Sequence, residues 1–490
     1  MRPTTVLLLL ALLAIPAALR AQPVSDADVV RIALESNPTL RAALYDARRA
    51  DSVVAREEAR FGWILTLDGG VTRSETPQAT TAGVTTSRSD TVGGGSEVGR
   101  AFEWGTAVAV RTDVSRRTSV FNPIATTSDR IEIGPTYGLG VQLTASQPLM
   151  RGAGSEIGTA PLRAALADRR ASRAARDRVA SEVLRDLLSA YWELWYASAA
   201  LQVDQAALAL ARRHQGDAQA RVENGTLAAV EVLSFDARVA ILEETVAAAE
   251  VERTARALEL GRLVGVPAQQ AAALVAPPAS APEAGSDDRS ADDAARSAAR
   301  RSAELTQVRA ALDAARVDAR VADDALRPRL DLEGWLLFSG LGDRDAVAPF
   351  EEVGRGSAVS AHVGAVFELP LSTAQRHAVA QGATLGVEAA EERLRAAELR
   401  IEAEARSLAA RAEAARRRVG LAIRSVEASR RLAEAERERF ALGTTTSLAV
   451  QTAEDDLRAA ELRVARARVD ARNASLALGH LTGDLLRERG

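Results

Sequence analysis

His214, His362, His377 and His480 are the chain's four imidazoles, and it has no cysteine. None of the four has a cysteine or carboxylate partner at metal-ligand spacing, so no metal site can be written from them. His362 falls on the polar side of a predicted strand and reads as a solvated side chain. "GDRD" (342–345) and "SDTVGGGSE" (89–97) gather carboxylates, but both read as solvated surface loops. No G-x-S-x-G elbow, phosphate-binding loop or dinucleotide fingerprint occurs. The expectation is a protein that is not an enzyme, with no cofactor and no metal.

The chemistry that remains belongs to the backbone. "ENGT" (223–226) interrupts a long alanine-rich helical pattern, and "ALGTT" (441–445) does the same at a constant offset, Gly443 answering Gly225 and Thr444 answering Thr226. Glycine after a long helix is the usual stop, because it enters the left-handed region without a Cβ clash. Thr226 and Thr444 are then placed to cap the next helix by accepting backbone N–H bonds, with Thr445, Thr446 and Ser447 as further caps in the second copy. Carried without a gap to "LGRLVGVP" and "LGHLTGDL", the two copies agree at 14 of 47 positions. The chain is therefore a tandem repeat.

The elements that hold these turns follow from periodicity. Residues 22–274 form one repeat and 293–490 the other, joined by a Pro-, Ala-, Ser- and Asp-rich linker over 275–292. In the first, helical spacing covers roughly 26–60, 159–223 and 226–264, with strands within 61–149 and a turn at 224–226. In the second, it covers roughly 293–327, 373–441 and 444–482, with a β hairpin within 328–371 and a turn at 442–446. Val387, Leu394, Ile401, Leu408, Ala415 and Ala422 recur every seven residues, with Ala405, Ala412, Val419 and Val426 offset by four. That is a coiled-coil seam built of small side chains.

Between the helices the period falls to two. "YGLGVQLTASQPL" (137–149), "LDLEGWLLFSG" (330–340) and "SAHVGAVFELPL" (360–371) alternate apolar with polar, and "GWILTLDGG" (62–70) does so more loosely. This suits transmembrane barrel strands or a half-buried soluble sheet; helices too long to fold back over a sheet favour the barrel. Four strands cannot close a barrel alone, so their edges must pair with other copies. "RAFEWGTAVAVRTDV" (100–114) is a fifth candidate, either a wall strand or an external hairpin.

Composition agrees with this frame. All 62 basic residues are Arg, aromatics make up 3%, and Ala, Arg, Glu and Leu dominate, as in closely packed long helices. A net charge of −4 gives no nucleic-acid footprint. Residues 1–21, "MRPTTVLLLLALLAIPAALRA", read as a secretory signal peptide. No other apolar run is long enough for a membrane helix, leaving an exported protein that is soluble or crosses a membrane as a β-barrel.

The chain resembles the TolC-type outer membrane efflux channels. "ALESNPTLRAALYDARRA" is similar to that family's first helix, "QPLMRGAG" (147–154) to its strand-to-helix link, and "AYWELWYA" (190–197) to the aromatic patch in its long helix. The two turns and the endings "LVGVP" and "LTGDL" complete the order. Ala228 and Ala449 stand where Ser or Thr and Asp are common in that family.

The resemblance implies a mainly α fold with a membrane β part: a long antiparallel coiled-coil α-barrel continued by a 12-stranded β-barrel closed by trimerisation. It implies an outer membrane location with the helices in the periplasm. Asn224, Gly225, Thr226, Leu227, Leu442, Gly443, Thr444 and Thr445 would dock a periplasmic adaptor (a membrane fusion protein), itself bound to an inner-membrane RND, ABC or MFS transporter. The partners so implied are two further copies, the adaptor and outer membrane lipid. The activity would be passive conduction in an efflux or type I secretion system. The alternative is a periplasmic coiled-coil adaptor or structural protein without a membrane barrel.

Overall fold

The computed structural model describes residues 24–489 except 81–82, 122–130, 227, 275, 277–280 and 283–288. The signal peptide and most of the linker lie outside them, as does Leu227. Chain order is α1 (Asp26–Ser36), α2 (Pro38–Ala59), β1 (Ile64–Thr80), β2 (Gly83–Ala101), β3 (Ala107–Phe121) and β4 (Ile131–Pro148). There follow α3 (Ser155–Gly158), α4 (Ala160–Glu223), α5 (Ala229–Val264), α6 (Ala268–Ala271), α7 (Ala291–Arg301) and α8 (Ala303–Asp324). The remainder is β5 (Arg329–Asp343), α9 (Ala348–Arg355), β6 (Val359–Glu368), α10 (Ala374–Ala441), α11 (Ser447–Thr482) and α12 (Leu485–Arg489).

The chain divides into two compact units. The first is helical and gathers residues up to 47, 172–307 and 394–490. Its core joins Val29 and Ala33 of α1 to Leu187, Leu188, Tyr191, Leu194 and Trp195 of α4. Leu260 and Val264 of α5 and Val469 and Leu476 of α11 complete it. Tyr191 and Trp192 meet edge to face at 4.9 Å, so "AYWELWYA" is a packing centre. On α10, Ile401, Ala405, Ala412 and Ala415 are buried, where small side chains allow helices to approach closely.

The segments read as single helices over 26–60 and 293–327 are each broken once. Asn37 is extended because Pro38 follows it, and its side chain accepts from Leu40 N at 3.0 Å. Ser302 also leaves helical geometry (φ −58°, ψ 122°) and its side chain accepts from Leu305 N at 3.4 Å. Each break receives a glycine from the end of its own repeat. Gly265 (φ 88°) lies where a Cβ would come within 2.8 Å of the Ser36 carbonyl oxygen. Gly483 (φ 73°), its counterpart in the second repeat, meets the Arg301 carbonyl oxygen at the same 2.8 Å. The repeated glycine endings are therefore helix stops that also admit the first helix's backbone.

The second unit, residues 48–171 and 308–393, carries the sheet. Among the described residues it has six strands, not four, in the antiparallel order β1-β2-β3-β4-β5-β6. "SDTVGGGSE" is the middle of β2 rather than a loop, paired on both sides: Gly94 faces Gly69 of β1 and Val114 of β3. The candidate at 100–114 comprises the end of β2, a turn over 102–106 and the start of β3. The expected hairpin over 328–371 is interrupted by α9, whose Pro349 lies against Gly340 and Gly342 of β5.

The β2–β3 turn is seated on the strand-to-helix link. Gly154 N donates to Trp104 O at 3.3 Å. A Cβ on Gly158 would stand 2.0 Å from the Glu103 carbonyl oxygen. Gly158→Val should therefore displace this turn, with a stability loss of about 2–4 kcal/mol. The check is the thermal midpoint of the detergent-extracted protein; an unchanged midpoint would contradict the close seating.

Candidate functional site

Two regions are candidates for function: the helical turns and the faces of the sheet. Each glycine turn closes the preceding helix by a paired bond pattern. Gly225 (φ 71°) donates to Val222 O at 2.9 Å and Thr226 N donates to Arg221 O at 2.9 Å. Gly443 (φ 69°) donates to Phe440 O at 3.0 Å and Thr444 N to Arg439 O at 2.8 Å. This is a Schellman closure. The threonines act opposite to expectation. Thr226 Oγ1 donates back to Arg221 O at 3.0 Å and Thr444 Oγ1 to Arg439 O at 2.9 Å. Each stands short of the next helix's N-cap and completes the old helix instead of starting the new one. Thr446 caps α11 by accepting from Ala449 N at 3.3 Å, whereas Ala228 gives α5 no side-chain cap.

The structure brings the two turns together. Ser447 Oγ donates to Glu231 Oε2 at 3.2 Å, and the Arg221 guanidinium lies over the Phe440 ring at 5.6 Å. Asn224, Gly225, Thr226, Leu442, Gly443 and Thr444 are exposed, and Thr445 is half-buried with its hydroxyl on Glu436 Oε2 at 2.9 Å. Exposed apolar residues flank both turns: Val230 and Leu233 on one, Leu442 and Leu448 on the other. The glycines are legible in the sequence; the cross-repeat link is signalled only by the aromatic Phe440 and acidic Glu231 beside the turns.

Behind the turns a cavity of about 150 Å³ is lined by His214, Phe235, Arg238, Arg437, Glu454 and Arg458, among others. Glu454 accepts from Arg437 Nε at 2.7 Å and lies 3.2 Å from His214 Nε2. Burial pushes its carboxyl up, but the hydrogen bonds and charges of His214 and Arg437 outweigh this and hold it below the ordinary carboxylate value. A depressed pKa contributes stability that is present above the unfolded value and lost as pH falls through the folded one. Glu454→Gln should therefore lower stability by roughly 1–2 kcal/mol near neutral pH. The difference from the parent should shrink below about pH 4. Thermal melts at both pH values check this; a constant difference would contradict it.

Among the described residues no helix is long and apolar enough to cross a membrane. Pairing register sorts the sheet's residues into two faces. One carries Leu65, Leu67, Val71, Val92, Val98, Val110, Val114, Leu139, Val141, Leu143, Leu336, Phe338, Val363 and Phe367. The other carries Thr66, Asp68, Glu97, Arg111, Asp113, Gln142, Ser339, Glu333 and His362. His362 sits on the polar face, stacked on Trp335 at 5.8 Å.

The apolar band has marked limits. At the helix-side end, Arg100 stacks over Trp63 (5.8 Å) and Phe102 (4.9 Å), and Phe102 stacks on Trp104. At the far end, Asp90 pairs with Arg73 at 2.6 Å and Arg88 at 3.1 Å. Ten residue steps separate Trp63 from Arg73. That is about 33 Å of strand, or about 25 Å along the membrane normal at a tilt of ~40°. An aromatic edge and an apolar band of that height are those of a membrane barrel wall.

Long helices in two repeats and a six-stranded antiparallel sheet with one apolar face define the fold. Residues 294–484, most of the second repeat, match the outer membrane efflux protein family. Sequence comparison with characterised proteins finds no match. The fold is similar to that of VceC from Vibrio cholerae at 16% identity and a TM-score of 0.66, covering 94% of this chain and 96% of that one. It is also similar to CmeC from Campylobacter jejuni (14%, 0.62, 94% and 86%) and to the open state of MtrE from Neisseria gonorrhoeae (17%, 0.61, 94% and 89%). At these identities the likeness establishes fold alone.

Proposed function

We propose that three copies of the chain assemble in the outer membrane as the passive exit duct of a tripartite efflux or type I secretion system. The sheet forms the membrane wall, the helical part stands in the periplasm, and an inner-membrane RND, ABC or MFS transporter supplies the energy. A periplasmic adaptor docks on the paired turns, through Asn224–Thr226, Leu442–Thr445 and the exposed apolar residues beside them.

The observation that carries this reading is the division of the sheet into one apolar and one polar face. Leu67 (71% exposed), Val71 (76%) and Val363 (80%) lie bare on the single chain. A soluble periplasmic sheet would not leave such a band in water, so the adaptor alternative is disfavoured.

Docking is tested with a photo-crosslinking residue at Asn224 or Leu442 in intact cells, with Glu250 on α5 as a control. Support is a crosslink from the turns to a periplasmic adaptor that the control does not give. Equal crosslinking from the control would overturn docking at the turns.

A further inference from the structure

We infer that the hairpin formed by β2 and β3 is part of the membrane wall, so that the closed barrel has eighteen strands, six from each of three copies. The inference rests on the trimer reading above. The twelve strands implied by resemblance require four per chain, with 100–114 outside the wall.

Three features hold the hairpin in the wall. The first is its apolar face. Val92, Val98, Val110 and Val114 continue the band from Leu65, Leu67 and Val71 of β1 to Leu139, Val141 and Leu143 of β4. An external hairpin in water would have no use for a band at the same height.

The second is a charge network on the polar face. Arg111 of β3 binds Asp113 at 2.8 Å, Glu97 of β2 at 3.6 Å and, across β2, Asp68 of β1 at 3.0 Å. The reach over an intervening strand passes above Gly95. A Cβ there would lie 2.7 Å from Arg111 Nη2 and 2.7 Å from Asp113 Oδ1. The glycine-rich centre of β2 thus clears the path for a network tying three strands together.

The third is the anchoring of the hairpin turn. Trp104 and Glu103 sit against Gly154 and Gly158 of the strand-to-helix link, and Phe102 and Trp104 extend the aromatic edge begun by Trp63. The hairpin is pinned along its length and at its closed end.

Closure follows from parity. With six alternating strands, β6 of one copy runs antiparallel to β1 of the next, and the apolar faces stay on one side. β6 has 10 residues, and β1 offers a similar length within the band, from Ile64 to Arg73. Among the described residues neither outer edge has a partner strand, and a membrane sheet must have none free. Six strands fall short of the smallest single-chain barrels. Barrel width grows roughly linearly with strand number, so eighteen strands give a lumen about 1.5 times as wide as twelve. Such a barrel would pass bulkier solutes.

The absence of native cysteine makes the test clean. Single cysteines at Val98 and Val110, and at Glu97 and Asp113, are spin-labelled in the full-length protein reconstituted in lipid, and particle mass is measured in parallel. The expected result is a three-chain particle in which the Val98 and Val110 labels relax with oxygen and resist a water-soluble nickel chelate, while those at Glu97 and Asp113 do the reverse. A three-chain particle with all four labels open to the chelate would overturn the inference alone. The same alternation in a particle of another copy number would instead overturn the trimer reading, and with it the count of eighteen.

Discussion

Gly443→Val should reduce export at least about tenfold while leaving the assembled particle intact, and Gly225→Val should act in the same direction. Both glycines have positive φ, 69° and 71°, where a β-branched residue is strained by roughly 1–3 kcal/mol. A Cβ at either position meets nothing within 4 Å. The substitution therefore removes no packing and acts on the turn's conformation. Relief of the strain would break the bonds from Gly443 N to Phe440 O and from Thr444 N to Arg439 O, moving Leu442 and Thr444 from their exposed positions on the turn. A loss of about 1.4 kcal/mol in docking is already tenfold. Substrate accumulation in cells reads the export, and particle mass reads assembly. Loss of the particle would assign the turns to folding instead of docking.

Gly265→Val and Gly483→Val should do the opposite, destabilising the fold itself by about 3–5 kcal/mol each. Their φ values of 88° and 73° impose the same strain, but here the backbone of the partner helix is also in the way. The Ser36 and Arg301 carbonyl oxygens would each lie 2.8 Å from the new Cβ, and backbone cannot swing aside as a side chain end can. The first junction also holds further bonds: Ser36 Oγ donates to Val264 O at 2.6 Å, and Asn37 Nδ2 donates to Leu263 O at 2.6 Å. Thermal melts of all four glycine variants give the comparison. If Gly225→Val costs as much as Gly265→Val, the distinction between an open turn and a filled junction is wrong.

These two pairs of glycines also show what a sequence discloses. All four were visible as residues repeated at one constant offset, and the long helices were visible because α4 and α10 keep a helical period over 64 and 68 residues. The seam through Ile401, Ala405 and Ala412 was legible for the same reason, since burial follows the heptad. The different purposes of the glycines were not legible, because only the fold shows that Gly265 touches Ser36 and Gly225 touches nothing. Nor were the threonines' roles: a hydroxyl after a helix stop can serve either helix, and the geometry gave Thr226 and Thr444 to the one behind.

The sheet was half legible. β4, β5 and β6 show clean alternation, whereas β2 places Gly93, Gly94 and Gly95 at its centre. Glycine in a strand ordinarily marks weakness or a close approach, and here it is the approach of Arg111 toward Asp68 that needs the space. That reason lies on a neighbouring strand. The Arg111 network was missed with it, since its members are spread along the chain from Asp68 through Glu97 to Asp113.

Cell fractionation followed by the mass of the detergent-extracted particle tests the central claim most directly. A particle of three chains recovered from the outer membrane is the predicted result, as closure of the sheet edges requires partner copies. A soluble periplasmic monomer or dimer would contradict it and return the chain to the coiled-coil adaptor class.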